Sequence, residues 1–300
     1  MKPLLFSLSA PPGLEKSLCN RLGLQPGEWR HRRFPDGESY VRLVTPVEGR
    51  DVLFLCSLAD PDPKALTLLF AADAARAQNA RRIGLVAPYL PYMRQDKAFQ
   101  PGEAITSRTF ARLVSDGFDW LVTVDPHLHR FSSLDAIYSI PAIAATACRP
   151  IASWISDHVA QPILIGPDEE SEQWVGQIAN LIDAPVSILS KQRSGDHDVR
   201  IDGKGLDLAE GQTPVIVDDI MSSARTTIET VRVLTAAGAR DPVCIAVHGL
   251  FAGDAYSQLV EAGPARIVTT NSVDHPTNAI DISAEVAEAV RQAMEQSVQL

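Results

Sequence analysis

Two adjacent carboxylates, Asp218 and Asp219, directly follow a short apolar run at 214–217. The run is rich in valine and isoleucine, which predicts a buried strand that ends at the carboxylates. Apolar residues then recur at helical spacing from 228 onward and predict a helix that begins near Thr226. The turn between strand and helix holds small and hydroxyl-bearing residues and one arginine: Ser222, Ser223, Ala224, Arg225, Thr226 and Thr227.

This succession of elements is suited to a phosphorylated sugar. The N-terminus of a helix offers free N–H groups and a partial positive charge to a phosphate, and the hydroxyls add further donors. Asp218 and Asp219 can accept hydrogen bonds from ribose hydroxyls or bind a hard cation. Asp and Ser are also common at strand ends and helix N-caps, so this stretch alone leaves an ordinary structural role open.

Three further predicted strands end in residues of functional type: Asp125 and His127, Asp168, and Lys191 and Arg193. In open α/β sheets, ligands bind at the edge formed by the carboxyl ends of the strands. Carboxylates and histidine suit Mg²⁺ and its phosphates, whereas lysine and arginine suit the charge that develops on a transferring phosphoryl group. The positions therefore indicate phosphate chemistry, although a lone histidine in a loop is more often an ordinary surface residue.

A loop at 88–97 carries a second polar group. Two prolines and two tyrosines stop the sheet from continuing, which places the loop at a sheet edge. It ends in four polar residues able to contact both a base and a phosphate: Arg94, Gln95, Asp96 and Lys97. A solvated charged loop is the alternative interpretation.

Two common nucleotide motifs do not occur. There is no Gly-x-x-x-x-Gly-Lys-Ser/Thr sequence, which argues against a P-loop kinase. There is no Gly-x-Gly-x-x-Gly sequence either, so the usual fingerprint of dinucleotide-binding domains is absent.

Strands and helices alternate along almost the whole chain, which predicts an α/β fold with parallel sheets and helices on both faces. Predicted strands cover 4–9, 51–57, 82–87, 119–124, 161–165, 186–189, 214–217, 242–247 and 265–270. Predicted helices cover 63–79, 106–114, 149–158, 171–181, 226–236, 254–261 and 283–296. The pattern restarts near 142, so we expect two similar domains at 1–142 and 143–282, with the closing helix at 283–300 able to pack back on the first.

Composition limits the function classes. With 45% hydrophobic and 21% charged residues the chain is an ordinary globular protein, and its net charge of −10 argues against a nucleic-acid binder. No apolar run reaches the roughly 18 residues of a membrane span. The apolar start is better explained as a first strand than as a signal peptide. Four scattered cysteines lack metal-ligand spacing and predict reduced thiols in a cytoplasmic protein.

Seven short segments, in order, resemble the ribose-phosphate pyrophosphokinase family. They are Phe34-x-Asp36-Gly37-Glu38, Tyr92-x-Arg94-Gln95-Asp96-Lys97, Asp125-x-His127, Pro167-Asp168, Lys191-x-Arg193, Val217-Asp218-Asp219 with its hydroxyl turn, and His248-Gly249-x-Phe251. Each motif is weak alone, but seven in the family's order are a strong signal. The resemblance implies two type I phosphoribosyltransferase-like domains, each a mainly parallel sheet flanked by helices.

The resemblance also implies a reaction. The diphosphoryl group of Mg-ATP would be transferred to the C1 hydroxyl of ribose 5-phosphate, with release of AMP, by a homo-oligomer that is a dimer or an assembly of dimers. By the family pattern ATP would be bound by Phe34, Asp36 and Glu38, reaching across a subunit interface, and by Arg94, Gln95, Asp96 and Lys97. Ribose 5-phosphate would be bound by Asp218, Asp219, Ser222, Ser223, Ala224, Arg225 and Thr226. The catalytic residues would be Lys191, Arg193 and His127, and Mg²⁺ would be held by His127 and Asp168.

The chain departs from the family pattern in two loops. Glu169, Glu170 and Ser171 follow Asp168 where the family has a small residue and two glycines, and Arg225 stands where the sugar-phosphate loop has glycine. Arg225 lacks the conformational freedom of glycine, but its guanidinium can bind a phosphate directly. Two alternatives therefore stay open: a non-catalytic regulatory homologue, and a phosphoribosyltransferase that consumes the diphosphate ester.

Overall fold

The structure is a computed structural model. It describes residues 1–128, 130–168, 171–194, 198–202, 209 and 211–297 of the 300-residue chain. The chain divides into two compact units, one formed by Met1–Thr146 and the segment from Ser283 onward, the other by Ala147–Ile282.

The first unit has a six-stranded parallel sheet, with strands in the order β2-β1-β5-β6-β7-β8. Its strands are β1 (Leu4–Ser9), β2 (Gln25–Pro26), β5 (Asp51–Cys56), β6 (Arg82–Ala87), β7 (Trp120–Val124) and β8 (Ala142–Ala145). An antiparallel hairpin, β3 (Trp29–Arg33) and β4 (Ser39–Leu43), stands apart from this sheet. The helices are α1 (Leu14–Leu22), α2 (Asp62–Ala77), α3 (Thr106–Gly117) and the C-terminal α8 (Ser283–Gln296).

The second unit has a six-stranded parallel sheet in the order β10-β9-β13-β14-β15-β16. The strands are β9 (Pro162–Gly166), β10 (Val186–Ile188), β13 (Thr213–Met221), β14 (Val243–Gly249), β15 (Arg266–Thr270) and β16 (Asn278–Ile280). A second antiparallel hairpin comprises β11 (Ser190–Ser194) and β12 (Asp198–Asp202). The helices are α4 (Cys148–His158), α5 (Glu172–Ile182), α6 (Arg225–Ala236) and α7 (Ala255–Glu261).

The two units share one topology. When only the main-sheet strands are counted, each sheet runs 2-1-3-4-5-6, and each unit inserts its hairpin between the second and third of these strands. In such a sheet the strand order reverses between the first and third strands, and ligands bind in the crevice at that switch point. The switch point lies between β1 and β5 in the first unit and between β9 and β13 in the second.

The α/β class and the parallel sheets predicted from the sequence are confirmed. Central strands such as β5 are buried along their whole length, which explains why they are continuous apolar runs in the sequence. The strands β2, β8 and β16 and the helix α1 have no counterpart among the predicted elements. They contain nine residues or fewer, and the three strands form edge positions of their sheets, where an apolar run is not required.

Helix α8 is held on the first unit by contacts far apart in sequence. The Arg82 guanidinium donates to the carbonyl of Met294 and to the hydroxyl of Ser297, both at 3.0 Å. Arg21 Nε donates to Ser283 Oγ at 3.2 Å. These bonds fix both ends of a helix that follows the whole second unit in the chain.

A buried carboxylate at the start of β5 organises the amino edge of the first sheet. Asp51 is 5% exposed and accepts bidentate hydrogen bonds from Arg82, at 3.0 and 2.8 Å, and from Arg81. Burial alone raises the pKa of Asp51, but the hydrogen bonds and positive charges of Arg82 and Arg81 outweigh it and lower this pKa to about 2. The charged form of Asp51 is therefore favoured by folding.

We expect Asp51→Asn to lower the free energy of unfolding by about 2 kcal/mol at neutral pH. Because the folded-state pKa lies below the unfolded-state value near 4, the carboxylate stabilises the protein above about pH 4 and this contribution disappears as the pH falls toward 2. Urea titrations of both proteins across this range measure the difference. Asp116→Asn changes an exposed carboxylate near the same edge and serves as the control, for which we expect no loss in the free energy of unfolding. A difference that stayed constant from pH 7 to pH 2 would contradict the prediction.

All four cysteines are free; Cys56, Cys148 and Cys244 are buried and Cys19 is half-buried. None of the helices in the described part of the chain combines the length and apolar character needed to cross a bilayer.

Candidate functional site

The acidic pair lies on the third main strand of the second unit, not after it. Strand β13 continues through Asp218 and Asp219 to Met221, because Asp218 pairs with Ala246 and Ile220 with His248 of β14. The prediction that the strand ends at the carboxylates was wrong by four residues. The neighbouring buried strand β14 offers ladder partners that local residue preferences do not reveal.

The hydroxyl turn joins this strand to α6. Ala224 caps the helix in a left-handed conformation with φ of 53°, and α6 begins at Arg225. The amide of Ala252 donates to the carbonyl of Ser222 at 2.9 Å, which ties the turn to the segment after β14. Thr227 Oγ1 is fully buried without a hydrogen-bond partner among the described residues. The turn and the first amides of a twelve-residue helix therefore follow directly from the carboxylate strand.

Asp168 follows the neighbouring strand at the switch point. Strand β9 pairs with β13, with Ile165 opposite Ile216, so Asp168 and Asp218 come shortly after paired positions. The carbonyl of Asp168 accepts hydrogen bonds from Ser171 Oγ at 2.6 Å and Ser171 N at 3.2 Å, which closes the turn before α5. Glu169 and Glu170, two of the residues that depart from the family pattern, lie outside the described residues. The second unit thus brings Asp168 and the acidic pair to one switch point.

Lys191 and Arg193 lie on the hairpin between the second and third main strands, not in a loop at a strand end. Their backbones belong to β11 and pair with Ile201 and Val199 of β12. The first strand of this hairpin is Ser190–Ser194 and its second is Asp198–Asp202; positions 195–197 and 203–208 lie outside the described residues. Lys191 and Arg193 are two positions apart on β11.

In the first unit, the tip of the equivalent hairpin is a closed turn. The amide of Phe34 donates to the carbonyl of Glu38 at 2.8 Å, and the amide of Glu38 donates to Asp36 Oδ1 at 3.2 Å. The Arg32 guanidinium lies 4.3 Å from the centre of the Phe34 ring and 4.6 Å from that of Tyr40. The three predicted ATP residues of this hairpin therefore share one preformed turn, and Arg32 is a neighbour that sequence reasoning missed.

The 94–97 loop exposes Arg94 and Lys97, half-buries Gln95 and buries Asp96. The Asp96 carboxylate, whose side chain is 2% exposed, accepts a hydrogen bond from Arg130 Nη1 at 2.7 Å. Arg130 was not predicted as a site residue. The sequence offered one indication of a role for Arg130, namely its position three residues after His127, in the loop that follows β7.

Asp125 directly follows β7 in a left-handed conformation with φ of 33°, and its amide donates to the carbonyl of Ala145 at 2.9 Å. Backbone strain of this kind is commonly retained at functional sites. His127 lies two residues beyond, half-buried. Within the described ranges no three His, Cys, Asp or Glu side chains form a ready-made metal cluster. Magnesium is usually bound through one or two carboxylates together with substrate phosphates, so a magnesium site does not require such a cluster.

The switch point of the first unit is nearly filled. Its cavity of about 70 Å³, a few water molecules in size, is lined by residues that include Ser9, Trp29 and Cys56. The Lys64 ammonium donates to the carbonyl of Ser57 at 3.1 Å and to that of Ala59, so it occupies this crevice itself. This crevice is therefore small, and Lys64 lies in it.

Comparisons with known proteins agree with this architecture. A family described as the N-terminal domain of ribose phosphate pyrophosphokinase matches residues 3–116, and the phosphoribosyl transferase domain family matches residues 133–286. The fold and the switch-point turn therefore define an enzyme with phosphoribosyltransferase-type domains. The chain belongs to the ribose-phosphate pyrophosphokinase family.

Relatives that match over nearly their whole length are named ribose-phosphate pyrophosphokinase. The ribose-phosphate pyrophosphokinase of Methanopyrus kandleri is 31% identical over 96% of this chain and 98% of its own. That of Sulfolobus acidocaldarius is 32% identical over 92% of this chain and 94% of its own. The crystal structure of phosphoribosylpyrophosphate synthetase from Mycobacterium smegmatis superposes with a TM-score of 0.84 at 26% identity, covering 98% of this chain and all of that one.

Proposed function

We propose that this enzyme transfers the diphosphoryl group of Mg-ATP to the C1 hydroxyl of ribose 5-phosphate, forming 5-phosphoribosyl 1-diphosphate and AMP. The observation that carries the proposal is the switch point of the second unit. There Asp168 follows β9, Asp218 and Asp219 lie on β13, and the hydroxyl turn leads into α6. The names of these relatives agree with this reaction.

The second unit binds ribose 5-phosphate. Asp218 and Asp219 accept hydrogen bonds from the ribose hydroxyls, and the 5-phosphate binds to the turn and to the first amides of α6. The small crevice at the first unit's switch point supports placing the sugar here. Arg225, exposed at the first position of α6, adds a positive charge where the family pattern has glycine.

The first unit binds the nucleotide. Phe34, Asp36 and Glu38 contact the adenine, and the exposed Arg94 and Lys97 contact the phosphates. The enzyme acts as a homo-oligomer in which the β3–β4 hairpin serves the active site of a neighbouring subunit; the exposed turn at its tip supports this arrangement. His127 would hold the Mg²⁺ of the nucleotide, and Asp168 of the second unit would hold a second Mg²⁺ at the sugar. Each ion would neutralise charge on the phosphates when it is bound.

The reaction balances without a covalent enzyme intermediate. The C1 oxygen attacks the β-phosphorus, the bond between that phosphorus and the oxygen leading to the α-phosphate breaks, and the hydroxyl proton is released. Lys191 and Arg193 stabilise the negative charge that develops on the transferring group.

The reaction is tested by incubating the protein with Mg²⁺, ATP and ribose 5-phosphate. Formation of AMP in equal amount to the sugar diphosphate supports the proposal. Absence of AMP at saturating substrates refutes it. A phosphoribosyltransferase would instead consume the sugar diphosphate in the presence of a base and would show no dependence on ATP.

Asp218→Asn is expected to raise the KM for ribose 5-phosphate about tenfold, because a neutral amide is a weaker acceptor for sugar hydroxyls than a carboxylate. The KM for ATP should change little. Asp241→Asn is the matched control: Asp241 is exposed before β14, at the opposite edge of the sheet, and its left-handed backbone with φ of 51° suits asparagine as well. Steady-state kinetics with each substrate varied in turn measures both constants. An unchanged KM for the sugar would place the sugar site elsewhere.

A further inference from the structure

We infer that Arg130 is a phosphate-binding residue of the nucleotide site and that Asp96 is its positioning residue. The inference rests on the proposed function and names a role in it that no motif assigns. The family resemblance implies that Asp96 itself contacts ATP. The structure instead buries that carboxylate and turns it toward Arg130.

The geometry separates the two roles. The side chain of Asp96 is 2% exposed, so it has little surface to offer a nucleotide, whereas that of Arg130 is 45% exposed. A guanidinium carries five N–H donors in a fixed fork. Among the described residues, the contacts of this guanidinium are the hydrogen bond from Nη1 to Asp96 and the ring of Phe99, whose centre is 5.5 Å from Cζ. Donors therefore remain turned to solvent.

The position suits a phosphate. Arg130 lies in the loop that follows β7 at the carboxyl edge of the first sheet, three residues after His127, and Asp96 lies in the loop that carries Arg94 and Lys97. The ion pair thus joins two loops that both carry proposed nucleotide ligands. It also cancels the charge of Asp96, which leaves the cations of these loops to attract an anion.

Nearby side chains hold the arginine in place. Lys97 Nζ lies 5.0 Å from the centre of the Phe99 ring, so this exposed ring is flanked by two cations. The amides of Phe99 and Gln100 both donate to Glu103 Oε2, at 2.7 and 3.1 Å, which closes the loop around the ring. A guanidinium fixed by a buried carboxylate loses less freedom when it binds a phosphate than a free one would.

The experiment measures binding of two probes by calorimetry in the presence of Mg²⁺: the α,β-methylene analogue of ATP, in which the bond to be broken is blocked, and adenosine. Arg130→Met should weaken binding of the analogue about tenfold and leave adenosine binding unchanged. Arg108→Met is the matched control, because Arg108 is also exposed and lies 5.8 Å from an aromatic ring, that of Phe131. The Arg108→Met variant should bind both probes with the same affinity as the wild type.

Removing Arg130 alone leaves a buried charge on Asp96, which can unfold the loop. The double variant Arg130→Met/Asp96→Asn removes that charge and should lose the same tenfold affinity as the single variant. Asp96→Asn alone keeps the arginine but not its anchor and should lose less. The difference between the two single variants is the readout, because a purely structural ion pair would lose the same affinity whichever partner is replaced.

Equal losses for the analogue and adenosine would overturn the inference, since a loop clamp weakens both. Undiminished binding of the analogue by the double variant would also overturn it. If the wild type bound neither probe, the proposed function would fail together with the inference. If the wild type binds the analogue and the double variant binds it equally well, the inference fails and the proposed function stands.

Discussion

Replacing Lys191 or Arg193 by alanine is expected to lower kcat by about 10²–10³ while the KM values change little. Both cations are proposed to act on the charge that builds on the transferring diphosphoryl group. An interaction made mainly in the transition state affects kcat rather than ground-state binding. Because both residues lie on a two-stranded hairpin outside the main sheet, their replacement should leave the melting temperature nearly unchanged.

The same hairpin offers a matched control. Arg200 lies on β12 and pairs with Gln192, the residue between the two proposed catalytic positions. Arg200→Ala removes one positive charge from the same small sheet but should keep near wild-type turnover. Rapid-quench measurement of AMP formation under saturating substrates gives kcat for each variant. Unchanged turnover in both Lys191→Ala and Arg193→Ala would remove this hairpin from the mechanism.

Gly84→Ala is expected to destabilise the first unit by about 3 kcal/mol or more. Gly84 lies in the middle of β6 and pairs directly with Trp120 of β7. A methyl group on Gly84 would lie 2.0 Å from a carbon of the Trp120 ring, which is far too close for two non-bonded carbons. Since Trp120 is itself 2% exposed, the indole has no free space to move into.

Two further variants make this prediction specific. Gly176→Ala adds the same methyl group within α5, where nothing lies within 4 Å, and should stabilise the protein by about 0.5–1 kcal/mol through helix propensity. The double variant Gly84→Ala/Trp120→Leu should recover part of the loss, because the smaller side chain admits the methyl group. Urea denaturation gives the free energy of unfolding of each protein. A cost below 1 kcal/mol for Gly84→Ala, or the same cost with leucine at 120, would show that the close approach does not matter.

Much of this fold could be predicted from local patterns. The mostly apolar strands at 4–9 and 82–87 match β1 and β6 residue for residue, because interior strands of a parallel sheet are largely covered on both faces and are therefore rich in apolar residues. The closing helix at 283–296 also matches α8, whose buried residues recur at helical spacing. Short edge strands such as β8 escaped prediction, since four residues without a sustained apolar run carry too little signal.

The sequence by itself determined the order and type of the main elements and the family, because apolar periodicity and the seven motifs are properties of neighbouring residues. Tertiary structure alone decided the strand order, which places the second unit's acidic residues at a switch point and lets Lys64 fill the first unit's crevice. It also decided that Asp96 is buried against Arg130, 34 residues away. Such pairings depend on how the chain returns to itself in space, and no local pattern of side chains encodes that path.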